Sequence, residues 1–233
     1  MPTVSHVKAL SAVPGIHRIQ GVRVANCYLV VSTPGLLLID TGMPGNARKI
    51  ISYIKKTGRS PNDLKTVVFT HCDADHIGSA NAVKRLTGAK LAIHEADAST
   101  LSGRSGFRPE AGFLGKIMTM LASLMGFRPV QPDVILKDGD EIDGLRVIHS
   151  PGHTVGSICL YSLGKALFTG DTVLADSQGN PKPPDKNTTP DMAKALASVT
   201  MLSRLDFDVL LPGHGPPVVG RASVRLKEIA LPI

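Results

Sequence analysis

Within Thr70-His71-Cys72-Asp73-Ala74-Asp75-His76-Ile77-Gly78, two imidazoles and two carboxylates fall inside six consecutive positions. Imidazole nitrogen and carboxylate oxygen are ordinary donors to Zn, Fe and Mn, and a turn this dense in them can fan alternate side chains into one cavity. Three more donors stand in short Gly- or Pro-flanked contexts: His153 in Pro151-Gly152-His153-Thr154, Asp171 in Thr169-Gly170-Asp171-Thr172, and His214 in Pro212-Gly213-His214-Gly215. They follow His76 at successive intervals of 77, 18 and 43 residues. Taken singly, a His or Asp beside Gly is as readily a turn residue as a ligand. Four such clusters, each expected at a strand end, are poorly explained as a coincidence of turns. Four imidazoles and three carboxylates form the inventory of a two-metal site. The remaining histidines carry no such context: His6 and His17 read as terminal or surface residues, His94 precedes Glu95 near a helix start, and His149 closes a strand.

The elements that must position these donors follow from periodicity. Asn26–Ser32 and Gly35–Asp40 read as strands joined by a turn at Thr33-Pro34. Pro44–Gly58 has helical spacing with Gly58 as its stop, Thr66–Thr70 is a buried strand, Ser79–Gly88 a helix and Lys90–His94 a strand. The second half gives strands at Val134–Leu136, Leu145–His149, Ser157–Tyr161, Ala166–Thr169 and Asp208–Leu211, with helices at Asp191–Leu205 and Ala222–Ala230. Strand clusters with helices in both halves argue for an α/β protein whose sheets are covered by helices. Gly103–Pro132 is an apolar, Met-rich insertion between the halves, and Thr172–Pro190 a long loop of the kind that borders a site.

Composition sets the outer bounds. The 233 residues are 42% apolar and 19% charged, which excludes a disordered tail, a disulfide-stapled miniprotein and a collagen-like repeat. No signal sequence is read at the N-terminus, and Gly112–Gly126, the longest apolar stretch, is shorter than the roughly 20 residues needed to cross a bilayer. No membrane partner is therefore expected. Cys27, Cys72 and Cys159 are an odd number without a Cys-x-x-Cys pair, so neither a disulfide framework nor a thiolate zinc site is expected and a cytoplasmic location is the simplest reading. The net charge of +7 comes from residues such as Arg48, Lys49, Lys55, Lys56, Arg59, Lys84 and Arg85, spread over helices rather than clustered with aromatics. No nucleic-acid partner is expected from that pattern.

From about Asn26 to Pro217 the chain resembles the metallo-β-lactamase superfamily. The pattern is His-x-His-x-Asp-His after a strand, then Gly-His, Gly-Asp and a final Gly-His at later strand ends. Asp40-Thr41-Gly42 also stands where members carry Asp-Thr-Gly. The resemblance implies a four-layer αββα sandwich, one domain over 1–233 with the helical insertion at about 103–132. It implies two metal ions: His71, position 73 and His153 on the first, Asp75, His76 and His214 on the second, and Asp171 bridging both. Position 73 departs from the pattern, with Asp where most members have His. A carboxylate oxygen and a histidine Nδ1 are both three bonds from Cα, so the reach is similar. The charge is not, and an added hard oxygen shifts preference from zinc, the default, towards Fe or Mn.

The chemistry so implied is hydrolysis by a hydroxide held between two cations, with Asp75 orienting it and moving its proton and Asp171 shared by both ions. The expected substrate is a small ester, lactone or thioester, with promiscuous β-lactamase-type hydrolysis in the same class. A persulfide dioxygenase-like oxidoreductase with one iron on His71, His153 and Asp171 is the alternative, and a nucleic-acid phosphodiesterase a weaker one. A glutathione-thioester role of the glyoxalase II type is not expected, since those relatives carry a C-terminal helical extension and only some 20 residues follow His214. Phe107, Phe113, Leu114, Ile117, Met118, Met120, Leu121, Leu124, Met125 and Phe127 recur at helical spacing in the insertion. They make it a helix packed on the core or a homodimer seam, or else a wall for an acyl chain.

Overall fold

Leu36–Ile39 is an unbroken apolar tetrapeptide, and a strand with no polar face must be covered on both sides. It is fully buried at the centre of a six-stranded sheet. The computed structural model describes residues 13–32, 35–107 and 113–230, apart from the side chain of Leu114. His6, the turn at Thr33-Pro34, residues 108–112 of the insertion and the Leu114 side chain lie outside the described residues. The chain divides into two compact units: the described residues up to Ile93 with Ala98–Ile135, and His94–Asp97 with Leu136 onward.

In the first unit the elements are β1 (Ile16–Arg18), β2 (Tyr28–Val31), β3 (Leu36–Ile39), α1 (Ala47–Lys56), β4 (Leu64–Val68), α2 (Ala74–Ile77), α3 (Ala80–Thr87), β5 (Lys90–His94), α4 (Ala98–Leu101), α5 (Phe113–Leu124) and β6 (Val134–Leu136). The sheet order is β1-β2-β3-β4-β5-β6. β1 and β2 pair antiparallel, as do β2 and β3, whereas β3, β4 and β5 run parallel. Parallel neighbours present their C-terminal ends on one edge, so the residues after β3 and the turn after β4 emerge together. α1 shows why the sequence covers this sheet: Ala47, Ile50, Tyr53 and Ile54 are buried at helical spacing, while Lys55 and Lys56 sit in the last turn, where cations suit the helix dipole. His17, expected at the surface, is half-buried in β1 with its ring edge-on to Tyr53 at 6.2 Å.

The helix expected across Gly112–Gly126 is α5, and it has two unlike faces. Gly115 and Ala122 are buried and Met118 packs on the first core, together with buried Phe107 and Phe127, whose rings meet at 5.0 Å. Phe113, Met120 and Leu124, at spacings of seven and four, are exposed, Leu124 by 76%. Just beyond α5, a Cβ on Gly126 would touch Pro44 at 3.9 Å. The same Pro44 closes over Gly78, where a Cβ would lie 2.4 Å from its Cδ, so only glycine fits at the end of α2.

The second unit contains β7 (Glu141–Ile142), β8 (Leu145–His149), β9 (Ile158–Ser162), β10 (Ala166–Gly170), β11 (Leu174–Ala175), β12 (Pro181–Lys182), α6 (Met192–Leu202), β13 (Val209–Pro212), β14 (Val218–Val219) and α7 (Ala222–Ile229). Its six-stranded sheet has the order β14-β13-β10-β9-β8-β7. β9 is antiparallel to both β8 and β10, and β13 is parallel to β10, so β8, β10 and β13 all end at the same edge. Behind them Leu167, Leu210, Val199, Leu202, Phe207 and Leu226 form a second core. The long loop after β10 folds part of itself into the β11–β12 hairpin. Among the described residues no helix is long and apolar enough to cross a membrane.

Candidate metal centre

In the first unit the donor-rich turn leaves β4 and enters α2, a single helical turn. Asp73 is the extended residue before α2, with ψ of 150°, and Asp75 and His76 lie in helical backbone. That change of period pairs the donors two by two. His71 Nε2 lies 3.9 Å from Asp73 Oδ2, and His76 Nε2 lies 3.8 Å from Asp75 Oδ2. The two imidazoles adjoin, with ring centroids 4.0 Å apart.

Asp40, one residue beyond β3, organises this turn from beneath. It is buried, and its φ of +60° is one that Asp tolerates better than most residues. Its Oδ1 accepts from the Thr70 backbone N–H at 2.9 Å, and its Oδ2 accepts from the Thr70 hydroxyl at 2.8 Å. The same Oδ2 stands 2.8 Å from His76 Nδ1. The Thr70 oxygen lies 3.0 Å from His71 Nδ1. With the hydroxyl proton committed to Asp40, the Thr70 oxygen accepts from His71 Nδ1–H, and Asp40 accepts from His76 Nδ1–H. Both rings are thereby set as Nδ1–H tautomers that offer Nε2 as the ligand atom. Thr41 secures the turn further, its N–H and hydroxyl both donating to His76 O at 2.7 and 2.9 Å.

In the second unit His153, Asp171 and His214 come from the loops after β8, β10 and β13 and converge on one oxygen. Asp171 Oδ2 is 3.7 Å from His153 Nε2 and 3.3 Å from His214 Nε2. The Thr189 hydroxyl, on the long loop, lies 3.4 Å from Nδ1 of the candidate ligand His153. His94 and His149, given no role by the sequence, stack on each other at 4.2 Å in this unit.

The donor set fits divalent ions. Two ligands at about 2.0–2.2 Å from one ion stand roughly 3–4 Å from each other. The four imidazole–carboxylate separations among the candidate ligands, 3.3 to 3.9 Å, lie in that interval. Burial holds the Cys27 thiol well above its ordinary pKa, with the charges of Asp40 and Asp75 adding to the effect, and burial pushes Cys159 up to about 12. Sequence reasoning placed Asp40 in a tripeptide but gave it no task. A lone acidic residue closing a wholly apolar strand was the available signal.

Comparison with known proteins identifies the family and the fold. Residues 20–214 match the profile of the metallo-beta-lactamase superfamily. The chain is 28% identical over 231 residues to a probable metallo-hydrolase, YflN, of Bacillus subtilis, covering 90% of this chain and 87% of that protein. It is 32% identical over 170 residues to the acyl-coenzyme A thioesterase MBLAC2 of Bos taurus, covering 64% of this chain and 58% of that one. A metallo-beta-lactamase family protein from Thermus thermophilus superposes with a TM-score of 0.73 at 23% identity, covering 94% of this chain and 79% of that one, a likeness of fold. With two six-stranded sheets, helices in both units and a superfamily match across most of its length, the chain has the α/β metallo-β-lactamase fold and belongs to the metallo-beta-lactamase superfamily of metal-dependent hydrolases.

Proposed function

We propose that the donors of the two units hold two divalent ions jointly and that the protein hydrolyses small acyl compounds, with thioesters carrying an apolar acyl arm as the first candidates. The observation that carries this reading is the pairing of imidazole with carboxylate: His71 with Asp73, His76 with Asp75, and Asp171 shared by His153 and His214. In the order of the superfamily motif, His71, Asp73 and His153 serve one ion, Asp75, His76 and His214 the other, and Asp171 both. The two units then act as one functional domain. Bound ions would supply activation of water at neutral pH and polarisation of a carbonyl oxygen.

The chain's own residues do the rest. Asp75, with 23% of its side chain exposed, can accept a proton from an attacking water and orient it towards a carbonyl carbon. Asp40 keeps the His71 and His76 tautomers fixed while charge at the centre changes. Asp73 adds a third carboxylate, which lowers the positive charge of the centre and favours a harder ion, so Fe or Mn competes with zinc here. The Asp40 clamp on His76 favours two ions over the mononuclear dioxygenase reading, which leaves His76 and Asp75 without a task.

An acyl substrate is supported by α5. Its exposed Phe113, Met120 and Leu124 form an apolar strip, and Gly126 behind it adjoins the Pro44 that covers the ligand turn. The thioesterase activity named for the bovine relative lies in the same class of chemistry. Short- and long-chain acyl thioesters, lactones, phosphodiesters and β-lactams assayed side by side with metal-loaded protein test the reading. Preference for long-chain thioesters or lactones supports it, and turnover of phosphodiesters alone would overturn it.

A further inference from the structure

The loop that carries His153 is held by a charge from a distant part of the chain. Asp97 is 1% exposed. Its Oδ2 accepts from the Thr154 hydroxyl at 2.7 Å, and its Oδ1 accepts from the Gly156 backbone N–H at 2.9 Å. Both donors stand within three residues of His153. Contact is so close that a Cβ on Gly156 would lie 2.5 Å from Asp97 Cγ, which makes glycine a requirement at that position.

The loop also closes on itself around these contacts. The Thr154 N–H donates to the Ser157 hydroxyl at 3.0 Å, and the Ser150 N–H donates to Ser157 O at 2.8 Å. His149 Nε2 lies 2.9 Å from Val155 O. Backbone and hydroxyl partners could close such a turn without any charge, and a buried carboxylate is costly unless it is well bonded. Here its two oxygens grip the two positions that define the backbone immediately after the ligand. The Asp97 contacts, at 2.7 and 2.9 Å, are shorter than the 3.4 Å between His153 Nδ1 and the Thr189 hydroxyl.

We propose that Asp97 is the positioning residue for His153, a buried carboxylate that sets the metal affinity of that imidazole by fixing the loop beneath it. The proposal rests on the reading of His153 as a metal ligand. Supporting groups of this kind change metal affinity by about 10–100-fold when removed.

Cobalt(II) is the probe, its visible absorption reporting coordination in wild type, Asp97→Asn, Asp97→Ala, Thr154→Val, His153→Ala and the double variant Asp97→Ala/His153→Ala. Urea unfolding of each metal-free protein is followed in parallel. Asp97→Asn keeps the size and one acceptor, and Thr154→Val removes a single hydroxyl, so these two carry the test should Asp97→Ala fail to fold. The expected result is a loss of about 10–100-fold in affinity for one Co(II) equivalent in Asp97→Asn and Asp97→Ala, a smaller loss in Thr154→Val, and an altered absorption band. In the His153→Ala background, Asp97→Ala should weaken Co(II) binding no further. Affinity within twofold of wild type in Asp97→Asn and Thr154→Val would overturn the proposal, as would an undiminished effect of Asp97→Ala in the absence of His153. A wild-type protein that binds no Co(II) would instead remove the metal reading itself, and this inference with it.

Discussion

Oδ2 of Asp40 lies 2.8 Å from Nδ1 of His76, and the same oxygen receives the Thr70 hydroxyl, whose oxygen stands 3.0 Å from Nδ1 of His71. One buried carboxylate, directly or through one hydroxyl, therefore fixes the tautomers of two candidate ligands. The parallel pairing of β3 with β4 makes this possible, because it delivers Asp40 and the Thr70–His76 turn to the same sheet edge.

Replacing Asp40 by Asn tests that relationship. Asn tolerates the positive φ and keeps the shape, but it has one accepting oxygen where Asp40 uses two, so its NH2 must face either the Thr70 N–H or the Thr70 hydroxyl and His76 Nδ1–H. Metal affinity should fall by about 10–100-fold, and stability by roughly 1–3 kcal/mol for a buried donor left poorly bonded. Metal competition titrations and urea unfolding measure the two effects. Unchanged affinity would show that the histidines are oriented by other groups.

Asp75→Ala and Asp171→Ala should each bring turnover to background while unfolding remains cooperative. They should differ in metal content. Removing Asp171, whose Oδ2 approaches both His153 and His214, should weaken both equivalents, and removing Asp75 mainly one. Near-wild-type rates in either variant would refute the role assigned to it.

Much of this was readable from the residues alone. The seven candidate ligands stood out because metal chemistry demands specific side chains, and Gly and Pro marked the strand ends that bear them. Long apolar runs such as Leu36–Ile39 and Lys90–His94 were placed to within a residue or two. The two- and three-residue strands β1, β7, β11, β12 and β14 carry no usable period and were not foreseen. The Met-rich insertion read as a helix, but its apolar residues run nearly all round, so which face would be covered could not be told. Asp97 was invisible for a different reason: its partners Thr154 and Gly156 are more than fifty residues away, and nothing local distinguishes it from a solvent-facing Asp.

The His94–His149 stack should make stability depend on pH. Burial holds the His94 pKa below the ordinary histidine value and the neighbouring His149 adds to this, with Glu95, Asp138 and Asp140 opposing. The unfolded chain then binds a proton that the folded one rejects. This contribution is fully present above about pH 6.5 and is lost as the pH falls through that value towards the lowered pKa. Urea midpoints measured with a chelator between about pH 7.5 and 5 should therefore fall more steeply in wild type than in His94→Gln. Parallel curves would contradict the assignment.

The outer face of α5 separates substrate binding from folding. Leu124, 76% exposed, should be replaceable by Ser with a stability change within about 0.5 kcal/mol. If the strip carries an acyl chain, KM for a long-chain thioester should rise by about 3–10-fold, a partial loss of the roughly 1.5–3 kcal/mol of a fully buried leucine. KM for an acetyl thioester should not move. Equal changes for both substrates would place the acyl chain elsewhere.

The metal content of the purified protein, measured by mass spectrometry alongside activity before and after chelation, bears most directly on the two-ion hydrolase. The expected result is close to two equivalents of zinc, iron or manganese per chain, with hydrolysis lost on chelation and restored by the ion. A metal-free preparation that hydrolyses its substrate at the full rate would contradict it.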